Sequence, residues 1–115
     1  MKETPIMNRI KYALSNIHGV RIFRNNVGVA KYASGGRVAY GLIPGSSDLI
    51  GWKTITITPE MVGREIAVFV AIETKAPGGH ISVTQTNFIN RVQEAGGIAG
   101  VVTSEDEARR LVEGI

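Results

Sequence analysis

Ile66-Ala67-Val68-Phe69-Val70-Ala71-Ile72-Glu73-Thr74-Lys75-Ala76-Pro77-Gly78-Gly79 decides the reading of this chain. The stretch from Ile66 to Ile72 carries no polar side chain. A short continuous apolar run, rich in β-branched residues, predicts a strand buried on both faces. The run then delivers a carboxylate and an ammonium, Glu73 and Lys75, just before a Pro-Gly-Gly break. The period of two in a strand puts Glu73 and Lys75 on one face and Thr74 on the other. Charged side chains at the end of a buried strand either pair with each other and their neighbours, or hold a metal and a substrate.

Working upstream, Pro59-Glu60-Met61-Val62-Gly63 is a turn, and Lys53-Thr54-Ile55-Thr56-Ile57-Thr58 before it alternates as a strand. That strand is fed by Asp48-Leu49-Ile50-Gly51-Trp52 and by a breaker-rich loop, Gly41-Leu42-Ile43-Pro44-Gly45-Ser46-Ser47. A symmetric hairpin about Glu60-Met61 pairs residues whose numbers sum to 121. Asp48 then lies opposite Glu73, with β-carbons ~5 Å apart on one face. A slip of one residue would destroy that pairing. If it holds, two carboxylates and Lys75 converge at one end of a hairpin.

Working downstream, Ser82-Val83-Thr84-Gln85 has the pattern of a capping box, with Ser82 as N-cap. Phe88, Ile89, Val92 and Ala95 give the following helix its core face, and Gly96-Gly97 ends it. Ile98-Ala99-Gly100-Val101-Val102 is another short apolar strand. Ser104-Glu105-Asp106-Glu107 opens a last helix with a second capping box. Strand, helix, strand reads as a right-handed crossover, so the last strand runs parallel to the one carrying Glu73.

Toward the amino end, Ile6, Ile10, Ala13, Leu14 and Ile17 recur at helical spacing. Thr4-Pro5 reads as an N-cap followed by proline at the first helical position, with Glu3 just before it. Val20 to Arg24 is a strand by alternation. Val27 to Tyr32 continues it after a bend, and Arg37 to Tyr40 returns as a hairpin arm beyond Ser34-Gly35-Gly36. Arg24-Asn25-Asn26 is a donor cluster. It is either a polar bend or a contact with phosphate or with a carboxylate of the site. The order is α-β-β-β-β-α-β-α, an α/β domain with a mixed β-sheet flanked by helices.

The chain has 115 residues, the length of one domain, and no cysteine, so neither disulfides nor zinc-thiolate sites are available. No membrane-length apolar run is present. Through Lys53 there are eight Lys/Arg against Glu3 and Asp48, a net of +6, whereas the remainder nets −3. That asymmetry suits an anionic partner for the first half, nucleic acid foremost; an ordinary solvated surface explains it equally well. Two opposed carboxylates need positive charge between them. Lys75 alone could supply it, making the cluster a purely structural one. A divalent cation could also supply it, with Asp48, Glu73 and the Thr74 carbonyl as hard oxygen ligands and water completing the shell.

Four stretches, Gly45-Ser46-Ser47-Asp48-Leu49-Ile50-Gly51, Ile72-Glu73-Thr74-Lys75-Ala76-Pro77-Gly78-Gly79, Ser82-Val83-Thr84-Gln85 and Ala95-Gly96-Gly97-Ile98-Ala99, together make the chain similar to the virus-type replication-repair nuclease (VRR-NUC) domain. That family belongs to the PD-(D/E)xK nuclease superfamily. Arg24-Asn25-Asn26-Val27-Gly28 and an early Glu3 extend the resemblance over nearly the whole chain. It implies a restriction-endonuclease-like core and hydrolysis of DNA phosphodiesters with Mg²⁺ or Mn²⁺, often at branched structures such as four-way junctions. Asp48 and Glu73 would be metal ligands, Lys75 the catalytic lysine, and Gln85 and Glu3 supporting active-site residues. Arg21, Arg24, Asn25, Asn26, Lys31, Arg37, Ser46 and Ser47 are the candidate DNA contacts. The resemblance is closest to the small phage and bacterial members. It implies a cytoplasmic protein that acts as a homodimer, with no membrane and no organic cofactor. A non-catalytic DNA-binding module of the same fold is the alternative.

Overall fold

A computed structural model describes residues 3–114. The elements are α1 (Glu3–Ser15), β1 (Val20–Arg24), β2 (Gly28–Lys31), β3 (Arg37–Tyr40), β4 (Leu49–Lys53), a 3-10 turn (Pro59–Met61), β5 (Val70–Thr74), α2 (Val83–Glu94), β6 (Ile98–Val102) and α3 (Glu105–Glu113). The chain is an α/β protein, and its elements follow the expected order with one strand more: Val20 to Tyr32, expected as one strand with a bend, is two strands, β1 and β2, which pair with different partners. It divides into two compact units, Met1–Ile55 and Thr56–Ile115.

In the first unit, β1 and β4 pair antiparallel from Val20↔Lys53 to Arg24↔Leu49. Phe23 and Trp52 stack beside this ladder, with ring centroids 5.4 Å apart. A β-carbon on Gly51 would stand 1.8 Å from the Arg21 carbonyl oxygen, so β4 needs a glycine where it crosses β1. A second antiparallel ribbon joins β2 to β3, from Gly28↔Tyr40 to Lys31↔Arg37, as the Ser34-Gly35-Gly36 turn signal predicts.

Helix α1 begins at Glu3, two residues before the Pro5 that the Thr4-Pro5 pattern puts first. Pro5 is tolerated there because N–H groups of the first turn have no intrahelical acceptor. Met7, Lys11 and Leu14 form the half-buried face, while Ile6, Ile10 and Ile17 are exposed. The stripe expected to face the core is thus rotated by about one residue. Both stripes satisfy helical spacing, so periodicity alone does not choose between them.

In the second unit, β5 and β6 pair parallel, from Val70↔Ile98 to Thr74↔Val102. Helices α2 and α3 both pack on this pair. Ile89, Val92, Ile98, Ala99 and Val102 are the buried hydrophobic side chains among the described residues. Each Ile or Val side chain withdrawn from water stabilises the fold by about 1.5–3 kcal/mol. Gly96, at φ +96°, reverses the chain after α2 and delivers it into β6.

Two expectations are corrected here. The apolar run before Glu73 is not a strand buried on both faces. Only Val70 onward is strand, and Ile66, Val68, Val70 and Ile72 are exposed while Phe69 and Ala71 are half-buried. Its one ladder partner among the described residues is β6, and one covered face suffices to hold it. Nor does the register summing to 121, which sets Asp48 opposite Glu73, occur among the described ladders: β4 is paired with β1, and Thr54 through Thr58 is irregular. Short apolar strands do not name their partners, and β1 offers β4 a ladder along its full length. No helix among the described residues is long and apolar enough to cross a membrane.

Candidate active site

The second unit gathers four of the expected site residues, Glu73, Thr74, Lys75 and Gln85, at the carboxyl end of β5. Glu73 and Lys75 are half-buried and alternate with the exposed Thr74, as strand periodicity requires. The Lys75 Nζ lies 3.4 Å from Glu73 Oε1. Gln85 Nε2 donates to the same carboxylate oxygen at 2.8 Å. The backbone holds Lys75 in place, because its N–H donates to the Val102 carbonyl at 3.0 Å and so prolongs the β5–β6 ladder by one step.

Gln85 stands where it does because of how α2 begins. Its N–H donates to Ser82 Oγ at 3.1 Å, and its side-chain Oε1 accepts the Ser82 N–H at 2.9 Å. This is the capping box read from the sequence. It leaves the amide nitrogen pointing away from the helix and onto Glu73. The orientation of an amide is settled by its partners, and here both ends agree. One end of the Gln85 side chain therefore caps the helix and the other holds Glu73.

An open cleft of about 340 Å³ lies along this cluster, lined by Ala71, Glu73, Thr84, Gln85, Phe88 and Ile89, among others. Thr84 and Phe88 were not among the predicted site residues. The signal for them is their position, since the residue after N1 and one turn beyond Gln85 project toward the same strand end. The cleft opens at the first turn of α2, where backbone N–H groups favour negative charge.

The first unit carries its own cluster. Asp48 is exposed, and its carbonyl accepts the Asn25 N–H at 2.8 Å. Asn25 Nδ2 donates to Ser46 Oγ at 2.7 Å and to the Ser47 carbonyl at 3.0 Å, while its Oδ1 accepts the Leu42 N–H at 3.0 Å. A small hollow of about 130 Å³ is lined by Thr4, Met7, Arg24, Asn26, Ser46 and Asp48, together with Asn25 and Val27. Arg21, Arg24, Lys31 and Arg37 are all exposed. Lys31 and Arg37 are register partners across the β2–β3 ribbon. Like charges set directly opposite destabilise a strand pair, and an anion between them relieves it. Glu3 starts α1, but its side chain lies outside the described residues.

A hard divalent cation suits the donors present. Glu73 accepts both of its contacts on Oε1, and among the described residues Oε2 has no hydrogen-bond partner. No group of three or more His, Cys, Asp or Glu able to hold a metal occurs among the described residues.

Neither a curated protein nor a solved structure matches the chain. A family model described as the VRR-NUC domain matches residues 36–106, a span that contains Asp48, Glu73, Lys75 and Gln85. The match covers more than half of the 115 residues and runs through both units, and the chain belongs to the VRR-NUC family of nuclease-type, DNA-processing domains.

Proposed function

We propose that this protein is a divalent-cation-dependent deoxyribonuclease that hydrolyses phosphodiester bonds in branched DNA, four-way junctions included, and works as a homodimer. The observation that carries the chemistry is the convergence of Lys75 and Gln85 on one oxygen of Glu73. In this reading Asp48 in the first unit, and Glu73 with the Thr74 carbonyl in the second, are the candidate ligands for Mg²⁺ or Mn²⁺. Such an ion, when bound, polarises the phosphoryl group and makes a water nucleophilic near neutral pH.

The remaining work falls to side chains. Gln85 holds one Glu73 oxygen by a hydrogen bond and leaves the other for the ion. Lys75 gives positive charge to the phosphate oxygens as they gain negative charge in the transition state. Its half-buried position strengthens that effect, because a partly desolvated ammonium is screened less than one in bulk water. Arg21, Arg24, Asn26, Lys31 and Arg37 grip the DNA backbone. Their support is exposure and the net +6 of the first 53 residues. The exposed apolar side chain of Val70 on β5 supports self-association.

The test is a cleavage panel of single-stranded, duplex, flap and four-way-junction DNA, with Mg²⁺, Mn²⁺ or chelator, beside light scattering in dilute solution. Metal-dependent cutting that favours the junction, from a species of twice the chain mass, is the expected result. Binding without cutting under every metal would make the chain a non-catalytic DNA-binding module.

A further inference from the structure

Asn25 occupies a position that no DNA contact requires. It is half-buried, and both of its side-chain N–H groups are engaged within its own unit, by Ser46 Oγ at 2.7 Å and the Ser47 carbonyl at 3.0 Å. Its Oδ1 accepts the Leu42 N–H at 3.0 Å, and its backbone N–H donates to the Asp48 carbonyl at 2.8 Å. One residue thus ties down both ends of the loop that delivers Asp48. That loop would otherwise be loose, since it contains glycines at φ +82° (Gly41) and +87° (Gly45). It is also tightly seated, because a β-carbon on Gly41 would meet the Asn26 carbonyl oxygen at 2.6 Å.

We propose that Asn25 is a positioning residue for Asp48, with the Ser46 hydroxyl and the Ser47 carbonyl as its anchors. This rests on the reading of Asp48 as a metal ligand. An exposed carboxylate on a flexible loop must be ordered each time the ion binds, and Asn25 removes that cost by fixing the loop beforehand. Partners that hold a ligand in place commonly account for 10–100-fold in metal affinity. Asn25 has no N–H left to offer a phosphate, so its loss leaves DNA affinity in chelator as it was.

The experiment compares wild type with Asn25→Ala, Ser46→Ala and Asp48→Asn. Mn²⁺ affinity is read by calorimetry without DNA, and DNA affinity by fluorescence anisotropy in EDTA. Amide exchange at Leu42 to Asp48 reports loop order, and thermal melting reports the fold. Asn25→Ala is expected to weaken Mn²⁺ about 10-fold or more, to speed exchange in the loop, and to leave DNA affinity unchanged. Ser46→Ala, which removes one anchor and is mild enough to keep the fold, weakens Mn²⁺ by a smaller factor. Wild-type Mn²⁺ affinity in both variants overturns the proposal. A fall in DNA affinity in EDTA with Mn²⁺ affinity intact also overturns it, and makes Asn25 a DNA contact. If Asp48→Asn itself keeps wild-type Mn²⁺ affinity, the reading of Asp48 fails first and takes this inference with it.

Discussion

Gln85 and Glu73 are joined by a hydrogen bond of 2.8 Å whose donor is oriented by the start of a helix. The Gln85 oxygen is held at 2.9 Å by the Ser82 N–H, so its nitrogen can only face the strand. Gln85→Glu separates the two roles. Glutamate serves a capping box as well as glutamine does, so thermal stability should stay within about 1 kcal/mol of wild type. The donor is replaced by a carboxylate facing Glu73, and cleavage should fall by at least tenfold. A variant that cuts at the wild-type rate would reduce Gln85 to a cap.

Lys75→Ala is expected to lower the cleavage rate by about 10²–10³, the usual loss when one charge-stabilising donor is removed. The fold should survive. The Lys75–Glu73 contact is 3.4 Å long and partly exposed, and pairs of that kind contribute about 1 kcal/mol or less. Single-turnover rates beside a denaturation curve check both halves of this expectation. A rate within a few-fold of wild type rejects the role.

Glu73→Gln and Asp48→Asn should each lose a Mn²⁺ site in calorimetric titration, while circular dichroism stays native-like. Both substitutions keep shape and hydrogen bonding but remove the negative charge that a hard cation needs. Retention of the site in either variant would remove that residue from the ligand set.

Lys31→Ala and Arg37→Ala test the β2–β3 ribbon. The two cations face each other in register, so losing one should leave stability unchanged or raise it by about 0.2–1 kcal/mol. DNA binding should weaken for all sequences alike. The slope of log affinity against log salt should shrink by about one for each phosphate that the variant no longer neutralises. Unchanged slopes would place the DNA elsewhere.

Acid should loosen α3 before the neighbouring elements. The Thr103 hydroxyl and backbone N–H both donate to Glu107, and these bonds hold its carboxyl below the ordinary carboxylate value. A depressed pKa contributes stability that is present above the unfolded value of 4.5 and is lost as pH falls through the lower, folded one. Amide protection at the start of α3, measured relative to the intrinsic exchange rate at each pH, should therefore fall below pH 4.5, and Glu107→Gln should abolish the dependence.

Local signals were legible in the sequence wherever chemistry acts over a few residues. Ser82 and Gln85 announced α2, the βαβ pattern gave the parallel β5–β6 pair, and Glu-x-Lys put two charges on one face. The second capping box was legible in half. Ser104 Oγ accepts the Glu107 N–H, but the Glu107 carboxylate reaches past Ser104 to Thr103. What stayed hidden was choice among equivalent partners. Val20 to Arg24 and the Ile66 run are both apolar enough to flank Leu49 to Lys53, and no residue type distinguishes them. The task of Asn25 was hidden for another reason. A side-chain amide looks alike in sequence whether it faces phosphate or a loop, and only the location of Leu42, Ser46 and Ser47 around it decides.

Among the described residues, the buried side chains all fall between Ile89 and Val102, a short sequence distance. Contacts so close along the chain cost little loop entropy to form, and such regions collapse early. β6 is then a template on which β5 aligns, one residue at a time, up to the bond between Lys75 and Val102. The ladder that begins beside this core at Val70 and Ile98 thus ends on the bond that fixes the Lys75 backbone.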